Sequence, residues 1–549
     1  MNSTDSLMEK LMKSTFACDI QYNIDRGKHL VATKGYSCGE VILEEPPLLV
    51  MPTGAYNTSV ERVVCAVSCI AKARPLVKDA ILQLYHPDDL SPWADAPLVQ
   101  TVRQAALQSH DVQQNFAEQA GMIYLLNSHA FPNNASAFFA LCSKINHDCE
   151  GNSRFTVGAD GLGRVVACRQ IAAGEEITQN YIGDLVIGSS LFRQSVLQES
   201  KLFQCKCIRC RSPDFARRVP CPVCHPRTED NTIDADVGLE IEEVAYMTFH
   251  PEPQGQWFCD TCEKWLSTAD VEPALVMMQA FESILPQKYQ HCIKNGVLLG
   301  QSISEQDCAE DYAGCIASLG AQHWLTVALQ LLLCHRYAED LIQGADSAVE
   351  MTRESLMDTL VQIWCWFEVV GLHHYWMRDT LLCCCQALKH TEDDEHYRVA
   401  AMYCAFLRPS IIGVDNQQQF DEVIKLVAEN MDTVAQLLHN EGNRQLLSGH
   451  ADTAVLWYEQ GIACNTSNAD VRRGLHSHHC KACLELQDYF GALQDVHALR
   501  SLPAAKSGCT ALRALLMDVQ YTQMEYDAAG TPVPELQALE AQLKELIPL

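Results

Sequence analysis

The most informative segment of this sequence is Asn146-His147-Asp148-Cys149. Two later segments complete it: Gly-Glu-Glu-Ile-Thr at 174–178, which leads to Tyr181, and the CxCxxC run Cys-Lys-Cys-Ile-Arg-Cys at 205–210. Between them, residues 163–168 have the apolar pattern of a strand. Short motifs recur by chance, so the signal lies in the ordered set rather than in any one piece.

This ordered set resembles the SET-domain lysine methyltransferases, in particular the SET-and-MYND family. In that family the first motif threads under a loop and forms a knot-like site for S-adenosylmethionine (SAM). The resemblance implies a SAM-dependent protein-lysine N-methyltransferase that acts on a histone or another protein. It also implies an α+β multidomain fold, with a β-rich SET domain, a zinc-bound post-SET segment and an all-α solenoid similar to tetratricopeptide (TPR) repeats. The alternative is a catalytically weak SET/TPR protein that acts as an interaction scaffold.

The resemblance also implies roles for individual residues. Tyr181 takes the catalytic place, at the mouth of a channel for the substrate lysine. A free lysine has a pKa of about 10.4, and a dry apolar channel disfavours its charged form. The enzyme then has to hold the nitrogen, the methyl group and the sulfonium sulfur in line. The residues in the cofactor-facing places are Arg26, Lys28, Asn127, Ser143, Asn146, His147 and Phe203.

Each of these residues has a plainer explanation. A β-turn with solvated side chains accounts for Arg26 and Lys28, a turn or helix cap for Asn127, and a core position for Tyr181. His29 stands where the family usually has a second glycine, and a side chain there limits the close approach of a ligand. His29 therefore favours the scaffold alternative, whereas the downstream motifs favour the enzyme.

Eight cysteines are predicted to form two zinc sites. The resemblance implies that Cys149 joins Cys205, Cys207 and Cys210 in a site that holds the post-SET segment across the active site. Two CxxC pairs form the second set, Cys221, Cys224, Cys259 and Cys262. A finger that joins the CxxC pairs at 207/210 and 221/224 is the competing partition, and His225 or His250 is near enough in sequence to replace a thiolate.

Composition limits the function further. The chain has 549 residues, of which 48% are hydrophobic and 20% charged, as expected of a folded protein with two to four domains. Forty basic and 69 acidic residues give a formal charge of −29, which argues against direct nucleic-acid binding. Such a charge favours encounter with a basic, lysine-bearing protein partner such as a histone tail. We expect a monomer, with a further protein partner bound through the helical repeats.

The compartment is predicted from the cysteines and the absence of export signals. Residues 1–15 lack the apolar core of a secretory signal. The most apolar window, 324–334, is shorter than the roughly 20 residues of a membrane helix. The clustering of the 27 cysteines favours zinc and reduced thiols over disulfides. We therefore expect an intracellular protein of the cytoplasm, the nucleus or both, without membrane contact.

The pattern divides the chain into five segments. Residues 1–50 are the N-terminal part of the SET domain, 51–125 a helical insertion, 126–200 the SET core, 201–265 the post-SET and zinc-ribbon-like segment, and 266–549 the helical TPR-like domain. The insertion offers only Cys65 and Cys69, too few ligands for the MYND finger of the family, so that finger is predicted to be absent.

The TPR prediction rests on small and aromatic residues at repeat spacing in the last segment. These residues are Gly442, Gly449, Ala454, Tyr458 and Gly461, followed by a second unit through Cys480, Ala492 and Leu499 and a weaker third through Tyr526 and Ala528. His476, His479, Cys480 and Cys483 share one helix face here, and packing in the repeat accounts for them better than a metal does.

Overall fold

The fold is described from a computed structural model. It describes residues 17–24, 26–52, 58–158, 160–225, 244–251, 255–269, 271–289, 305–345, 351–391, 394–407, 418, 421, 431–449, 451–464, 466–502, 510–528 and 533–546. Residues 1–15, which are predicted to lack a secretory signal, lie outside the described residues. The side chains of Tyr526 and Ala528 are also not described.

The chain forms two compact units. The first comprises residues 1–380 and 409–417, and the second comprises 381–408 and 418–549. Strands are confined to the first unit within the described residues. Among the described residues, no helix is both long enough and apolar enough to cross a bilayer.

The first unit begins with ten strands interrupted by a helical insertion. The strands are β1 (Cys18–Asn23), β2 (Gly27–Ala32), β3 (Val41–Glu45), β4 (Leu49–Met51), β5 (His129–Phe131), β6 (Ala135–Phe138), β7 (Asn146–His147), β8 (Ser153–Val157), β9 (Gly163–Ala167) and β10 (Glu176–Gln179). Seven of them form a sheet in the order β1-β2-β10-β8-β9-β3, with β7 paired to β10, while β4, β6 and β5 form a smaller antiparallel sheet. Alternating apolar residues such as Leu30, Leu43, Val165 and Ile177 are buried in one core.

Strand β10 brings the distant motifs together. It is antiparallel to β2 but parallel to β7, with Thr178 opposite Asn146 and Gln179 opposite His147. The segment that links β7 to β8 passes close to the end of β10 at Gly151. A Cβ atom at Gly151 would lie 2.7 Å from the Cα of Gln179, so the backbones approach too closely for a side chain.

The insertion is helical in its described part. Its helices are α1 (Ser59–Lys72), α2 (Pro75–Leu82), α3 (Pro97–Gln108) and α4 (Gln114–Asn127), with a 3-10 turn at Ser91–Trp93. Apolar residues three and four apart, such as Val63, Val67 and Ile70, form a core of their own with α4. The sequence pattern predicted these helices.

After the sheet the chain forms α5 (Ser190–Lys201), α6 (Ile208–Arg211) and four antiparallel strands in sequence order. These are β11 (Asp214–Pro220), β12 (Tyr246–His250), β13 (Gln256–Cys259) and β14 (Lys264–Leu266). The first unit then becomes helical, with α7 (Glu272–Lys288), α8 (Glu305–Leu319), α9 (Trp324–Gln343), α10 (Arg353–Val369) and a 3-10 turn at His374–Met377. The prediction of a β-rich domain followed by many helices is confirmed.

The second unit is helical throughout its described residues. Its helices are α11 (Arg378–His390), which begins at the end of the first unit, α12 (Asp394–Leu407), α13 (Met431–Leu447), α14 (Ala451–Ala463), α15 (Ala469–Glu485), α16 (Tyr489–Ser501), α17 (Thr510–Ala528) and α18 (Pro534–Leu546). A Cβ atom on Gly442 would lie 2.4 Å from the Tyr458 ring, and one on Gly461 would lie 2.5 Å from Leu475. These close helix contacts explain the glycines, while the assignment to TPR repeats stays a prediction.

Candidate functional site

Three aromatic side chains from separate segments meet at the end of β10. The ring centroids of His147 and Tyr181 are 5.2 Å apart, those of His147 and Phe203 are 5.8 Å apart, and those of Tyr181 and Phe203 are 6.4 Å apart. The parallel pairing of β7 with β10 carries His147 to Tyr181, and the turn after α5 brings in Phe203. The structure therefore collects the predicted catalytic residue and two of the predicted cofactor residues in one place.

A polar group borders these rings. The Arg26 guanidinium forms an ion pair with Glu176 at 2.8 Å, and it donates a hydrogen bond to the His147 carbonyl at 3.3 Å. The Asn146 amide donates to Glu176 at 3.0 Å and to the Arg26 carbonyl at 3.2 Å. The Arg26 side chain is 42% exposed, so this border faces solvent. Sequence reasoning assigned no contact to Glu176.

The hydrogen bonds of His147 fix its tautomer. Its Nδ1 accepts from the Tyr181 backbone N–H at 3.0 Å, so the ring proton is on Nε2. Nε2 lies 3.4 Å from the sulfur of Cys149 and donates to it. Burial lowers the pKa of His147 to about 4, so the ring is neutral at physiological pH.

The phenol of Tyr181 is also fixed. Its hydroxyl donates to the Ile145 carbonyl at 2.5 Å. Burial raises the pKa of Tyr181 well above its ordinary value, which keeps the phenol protonated. Because its one proton is donated to Ile145, the oxygen is available as an acceptor for an N–H group.

Other predicted cofactor residues have structural partners. The Asn127 amide donates to the carbonyls of Tyr85 and Ile123, at 2.7 and 2.9 Å. The Ser143 hydroxyl donates to Phe139 at 2.6 Å and lies 3.5 Å from the Asn127 carbonyl. The amide group of Asn127 therefore joins the end of α4 to the backbone at Tyr85, and its cofactor role stays a prediction, as does that of Ser143.

The first turn holds the remaining predicted residues. Lys28 lies exposed in β2, opposite Tyr22 of β1, and its cofactor role also stays a prediction. The neighbouring His29 ring is buried and bonds the Gly27 carbonyl at 3.1 Å. Gly27 has a φ of +70°, and a Cβ there would meet no atom within 4 Å, so the backbone of this turn is accessible from outside.

Sequence reasoning missed the carboxylate of Glu45, which shapes the segment leading to Asn146. This buried side chain accepts hydrogen bonds from the backbone N–H groups of Ala140, Leu141 and Cys142, at 3.1, 2.8 and 2.7 Å. Burial raises its pKa. A charged residue on the buried face of a strand was the available signal, because such a group requires internal partners.

The eight cysteines form two sets. Each of the sets Cys149, Cys205, Cys207, Cys210 and Cys221, Cys224, Cys259, Cys262 has its sulfurs within 4.8 Å of one another. The structure thus groups the thiols as the two predicted sets and not as the competing partition. A third group, His479, Cys483 and Asp495, lies buried in the second unit, where both histidines 476 and 479 bond the carboxylate.

The donor atoms of the first set, which we call the post-SET quartet, fit a tetrahedral zinc ion. The sulfur of Cys149 lies 4.0 Å from that of Cys205 and 3.5 Å from that of Cys210. Zn–S bonds of 2.3 Å imply sulfur separations of about 3.8 Å in a tetrahedron. The fully buried Arg193 guanidinium lies 3.6 Å from the sulfur of Cys210, as expected beside thiolates.

The second set, the ribbon quartet, joins the end of β11 to the turn between β13 and β14. Cys221 and Cys262 lie 3.9 Å apart at their sulfurs, and Cys224 and Cys259 lie 3.8 Å apart. The His225 ring accepts from the Ala245 backbone N–H at 2.8 Å, so it is not a fifth donor. This quartet has the same fit to zinc and contains none of the residues around Tyr181.

Lys201, which sequence reasoning did not select, reaches the same aromatic group. Its ammonium lies 5.6 Å from the Tyr181 ring centroid and 3.2 Å from the Leu126 carbonyl. A separate cavity of about 340 Å³, lined by residues such as Lys34, Tyr36 and Leu43, includes none of the residues around Tyr181.

Comparisons with known proteins agree with this geometry in part. Residues 27–182 match the model of the SET domain family, so the chain contains a SET domain. It is 31% identical over 136 residues to SET domain-containing protein SmydA-8, isoform B, of Drosophila melanogaster, a match that covers 23% of this chain and 25% of the relative.

Two further relatives match over 72 residues, 13% of this chain and 14% of each relative. They are Histone-lysine N-methyltransferase SET5 of Vanderwaltozyma polyspora, 44% identical, and Histone-lysine N-methyltransferase ASHR1 of Arabidopsis thaliana, 42% identical. The chain therefore spans a quarter or less of the length of these relatives. A solved structure of Rubisco LSMT bound to AdoMet is 13% identical, covers 77% of this chain and 96% of its own, and has a TM-score of 0.26, too low to support an inference.

Proposed function

We propose that this SET-domain chain is a SAM-dependent protein-lysine N-methyltransferase of the SET-and-MYND type without the MYND finger. The observation that supports the proposal most is the meeting of Tyr181, His147 and Phe203 from three separate segments. Two relatives are named histone-lysine N-methyltransferases, which also supports it.

The residues present offer a fitting cradle for SAM. We propose that the half-exposed Arg26 binds the carboxylate of SAM. The open turn at Gly27 lets the cofactor approach the backbone closely, and a ring of the cofactor packs on the face of Phe203. Asn146 and the His147 backbone complete the cradle. When bound, SAM supplies an electrophilic methyl group.

The protein's own part in the reaction is to select and orient a neutral amine. The Tyr181 oxygen accepts a hydrogen bond from the substrate N–H, because its own proton is directed to the Ile145 carbonyl. The aromatic surroundings disfavour the charged amine. Orientation of the nitrogen lone pair toward the methyl carbon then provides the main rate gain.

Zinc at the two quartets is assigned a structural role. In the post-SET quartet it joins Cys149 of the SET domain to the segment that carries Phe203, and so holds the aromatic group together. A closed set of four thiolates leaves no open coordination position for chemistry.

The substrate class follows from charge. A formal charge of −29 favours a basic, lysine-bearing protein, histone-like in character. We place the protein in the cytoplasm or nucleus, as a monomer that recruits a protein partner through TPR-like helices of the second unit.

One observation favours the second candidate, a catalytically weak scaffold. Both amide hydrogens of Asn127 are donated to backbone carbonyls, so they are not available to a cofactor without rearrangement. A loss of SAM affinity would leave a SET/TPR protein that only binds partners.

Calorimetry with SAM, followed by transfer of a labelled methyl group to histones and to cell extract, separates the two functions. We expect binding, transfer, and a roughly 100-fold slower transfer in Tyr181→Phe, since loss of one positioned polar group commonly costs that much. Tyr22→Phe, at a 72% exposed tyrosine, is the control and keeps the wild-type rate. Binding without transfer establishes the scaffold, and absence of binding refutes the enzyme.

A further inference from the structure

The environment of Lys201 differs from that of an ordinary surface lysine. The residue is partly buried at the end of α5, and its ammonium donates to the carbonyls of Leu126 and Leu125, at 3.2 and 3.5 Å. It lies 5.6 Å from the centroid of the Tyr181 ring. Within the described part of the chain no carboxylate pairs with it.

The backbone after Lys201 is arranged to bring this amine and an aromatic ring to one place. Leu202 has φ +61° and ψ +34°, a left-handed conformation that costs energy for a residue with a side chain. Its buried side chain packs with Val99, Val102 and Met122, which holds the turn. Lys201 and Phe203, on either side of Leu202, consequently both contact the Tyr181 ring. Strain of this kind concentrates at functional sites.

We infer that Lys201 is itself a methyl acceptor, so that this site modifies its own chain. The inference rests on the proposed function, because it needs the same methyl donor. It identifies the acceptor as an amine that is already beside Tyr181 before any other protein binds.

The chemistry is a simple substitution. The lone pair of Nζ forms the new N–C bond, while the S–C bond of the sulfonium donor breaks and its electron pair stays on sulfur. The products are a thioether, S-adenosylhomocysteine, and a methylammonium that loses its proton to water. No oxidant, reductant or further reactant is required.

The amine is prepared for this step. Burial lowers the pKa of Lys201 to about 8, so a far larger fraction is neutral at physiological pH than for a free lysine. The titratable groups that face it are His129, His147 and Tyr181. Burial lowers the pKa of His129 to about 4, and Tyr181 stays protonated, so neither group changes charge as the Lys201 amine titrates; the His147 ring hydrogen-bonds the Tyr181 backbone and Cys149. Self-methylation is therefore expected to speed up as pH rises toward 8 and to level off above it.

A purely structural role makes a different prediction. The Lys201 ammonium lies at the C-terminal end of α4, where a positive charge is favourable. In that role the residue would keep an unmodified amine in the presence of SAM. Arginine would replace it with little effect, since arginine also donates to carbonyls.

The test uses the full-length chain with SAM that carries a deuterated methyl group, followed by trypsin digestion and mass spectrometry. Trypsin cleaves poorly after a methylated lysine, so the label is expected in the peptide 194–206. The rate constant should not change on tenfold dilution, because donor site and acceptor belong to one molecule. Tyr181→Phe should lower the labelled fraction at least tenfold. Lys201→Arg should remove it, and Lys72→Arg, at an exposed lysine on α1, should leave it unchanged.

The outcomes separate this inference from the proposed function. Label on an added protein with an unmodified Lys201 overturns the inference and leaves the methyltransferase intact. SAM binding without label anywhere overturns both the inference and the transfer activity, and lack of SAM binding overturns the cofactor assignment as well. Because the decisive measurement is made on the wild-type chain, a variant that fails to fold does not obscure it.

Discussion

Loss of one thiolate from the post-SET quartet should abolish methyl transfer, whereas the same loss from the ribbon quartet should leave methyl transfer unchanged. The matched variants are Cys207→Ser and Cys262→Ser, both at half-exposed cysteines. Only the first quartet includes Cys149 of the SET domain, and on the proposed zinc assignment only that quartet holds the segment that positions Phe203 against His147 and Tyr181.

The size of the effect follows from the thiolate geometry. Structural zinc contributes about 10–16 kcal/mol of apparent binding free energy, and four equivalent thiolates share it. Removal of one should cost roughly 2.5–4 kcal/mol, which corresponds to a zinc affinity about 60- to 700-fold lower. When zinc is lost from the post-SET quartet, the segment that carries Phe203 is no longer attached to the SET domain.

The assay measures zinc release by a chromophoric chelator, SAM affinity by calorimetry and methyl transfer, for the wild type and both variants. The wild type should carry two zinc ions per chain. Each variant should release one of them at lower chelator concentration, but only Cys207→Ser should lose SAM affinity and transfer. If both variants lose transfer equally, or if Cys207→Ser keeps full activity with one ion fewer, zinc at the first quartet does not hold the site together.

Three further outcomes are expected. Gly151→Ala, which puts a methyl group 2.7 Å from the Cα of Gln179, should lower the free energy of unfolding by about 1–3 kcal/mol in denaturant titration, and a value within error of wild type would contradict the close approach of these two backbones. Glu45→Gln leaves one oxygen to accept from the three N–H groups at 140–142, so it should lower the free energy of unfolding by about 1–3 kcal/mol. The same variant should bind SAM more weakly when affinity is measured by calorimetry. Burial raises the pKa of Asp184 to about 7, so the folded state binds its proton more tightly than the unfolded state, and this carboxyl lowers stability as pH rises from about 4 to about 7. Asp184→Asn should remove that decline from melting temperatures measured across the same range, and an unchanged pH profile would count against the burial of this group.

Particular residues show how far the sequence reaches. The motif order placed Asn146, His147, Tyr181 and Phe203 on one site, and the structure brings all four together, because each sits at a fixed offset from a strand or a cysteine pair. Asn127 belongs to the same motif set, yet its amide group donates to the backbone carbonyls of Ile123 in α4 and of Tyr85. A motif predicts the position of a residue in the chain, but it does not predict which groups its side chain will bond.

Local patterns in the sequence predicted the SET domain, the eight clustered cysteines and the helical second half, because strand patterns, CxxC spacing and helical periodicity are properties of neighbouring residues. The choice between the two partitions of the eight thiols required the structure, since Cys149 lies far from the other three members of its set in sequence. Only the tertiary structure decided that Glu176 joins Arg26 to Asn146, that Glu45 anchors the segment before the motif, and that the amine of Lys201 lies beside the Tyr181 ring. The first contact depends on the pairing of β10 with β2 and β7, the second on the approach of β3 to the segment after β6, and the third on the left-handed turn at Leu202. Each brings together residues far apart in sequence, and none has a periodic signature in the residues that form it.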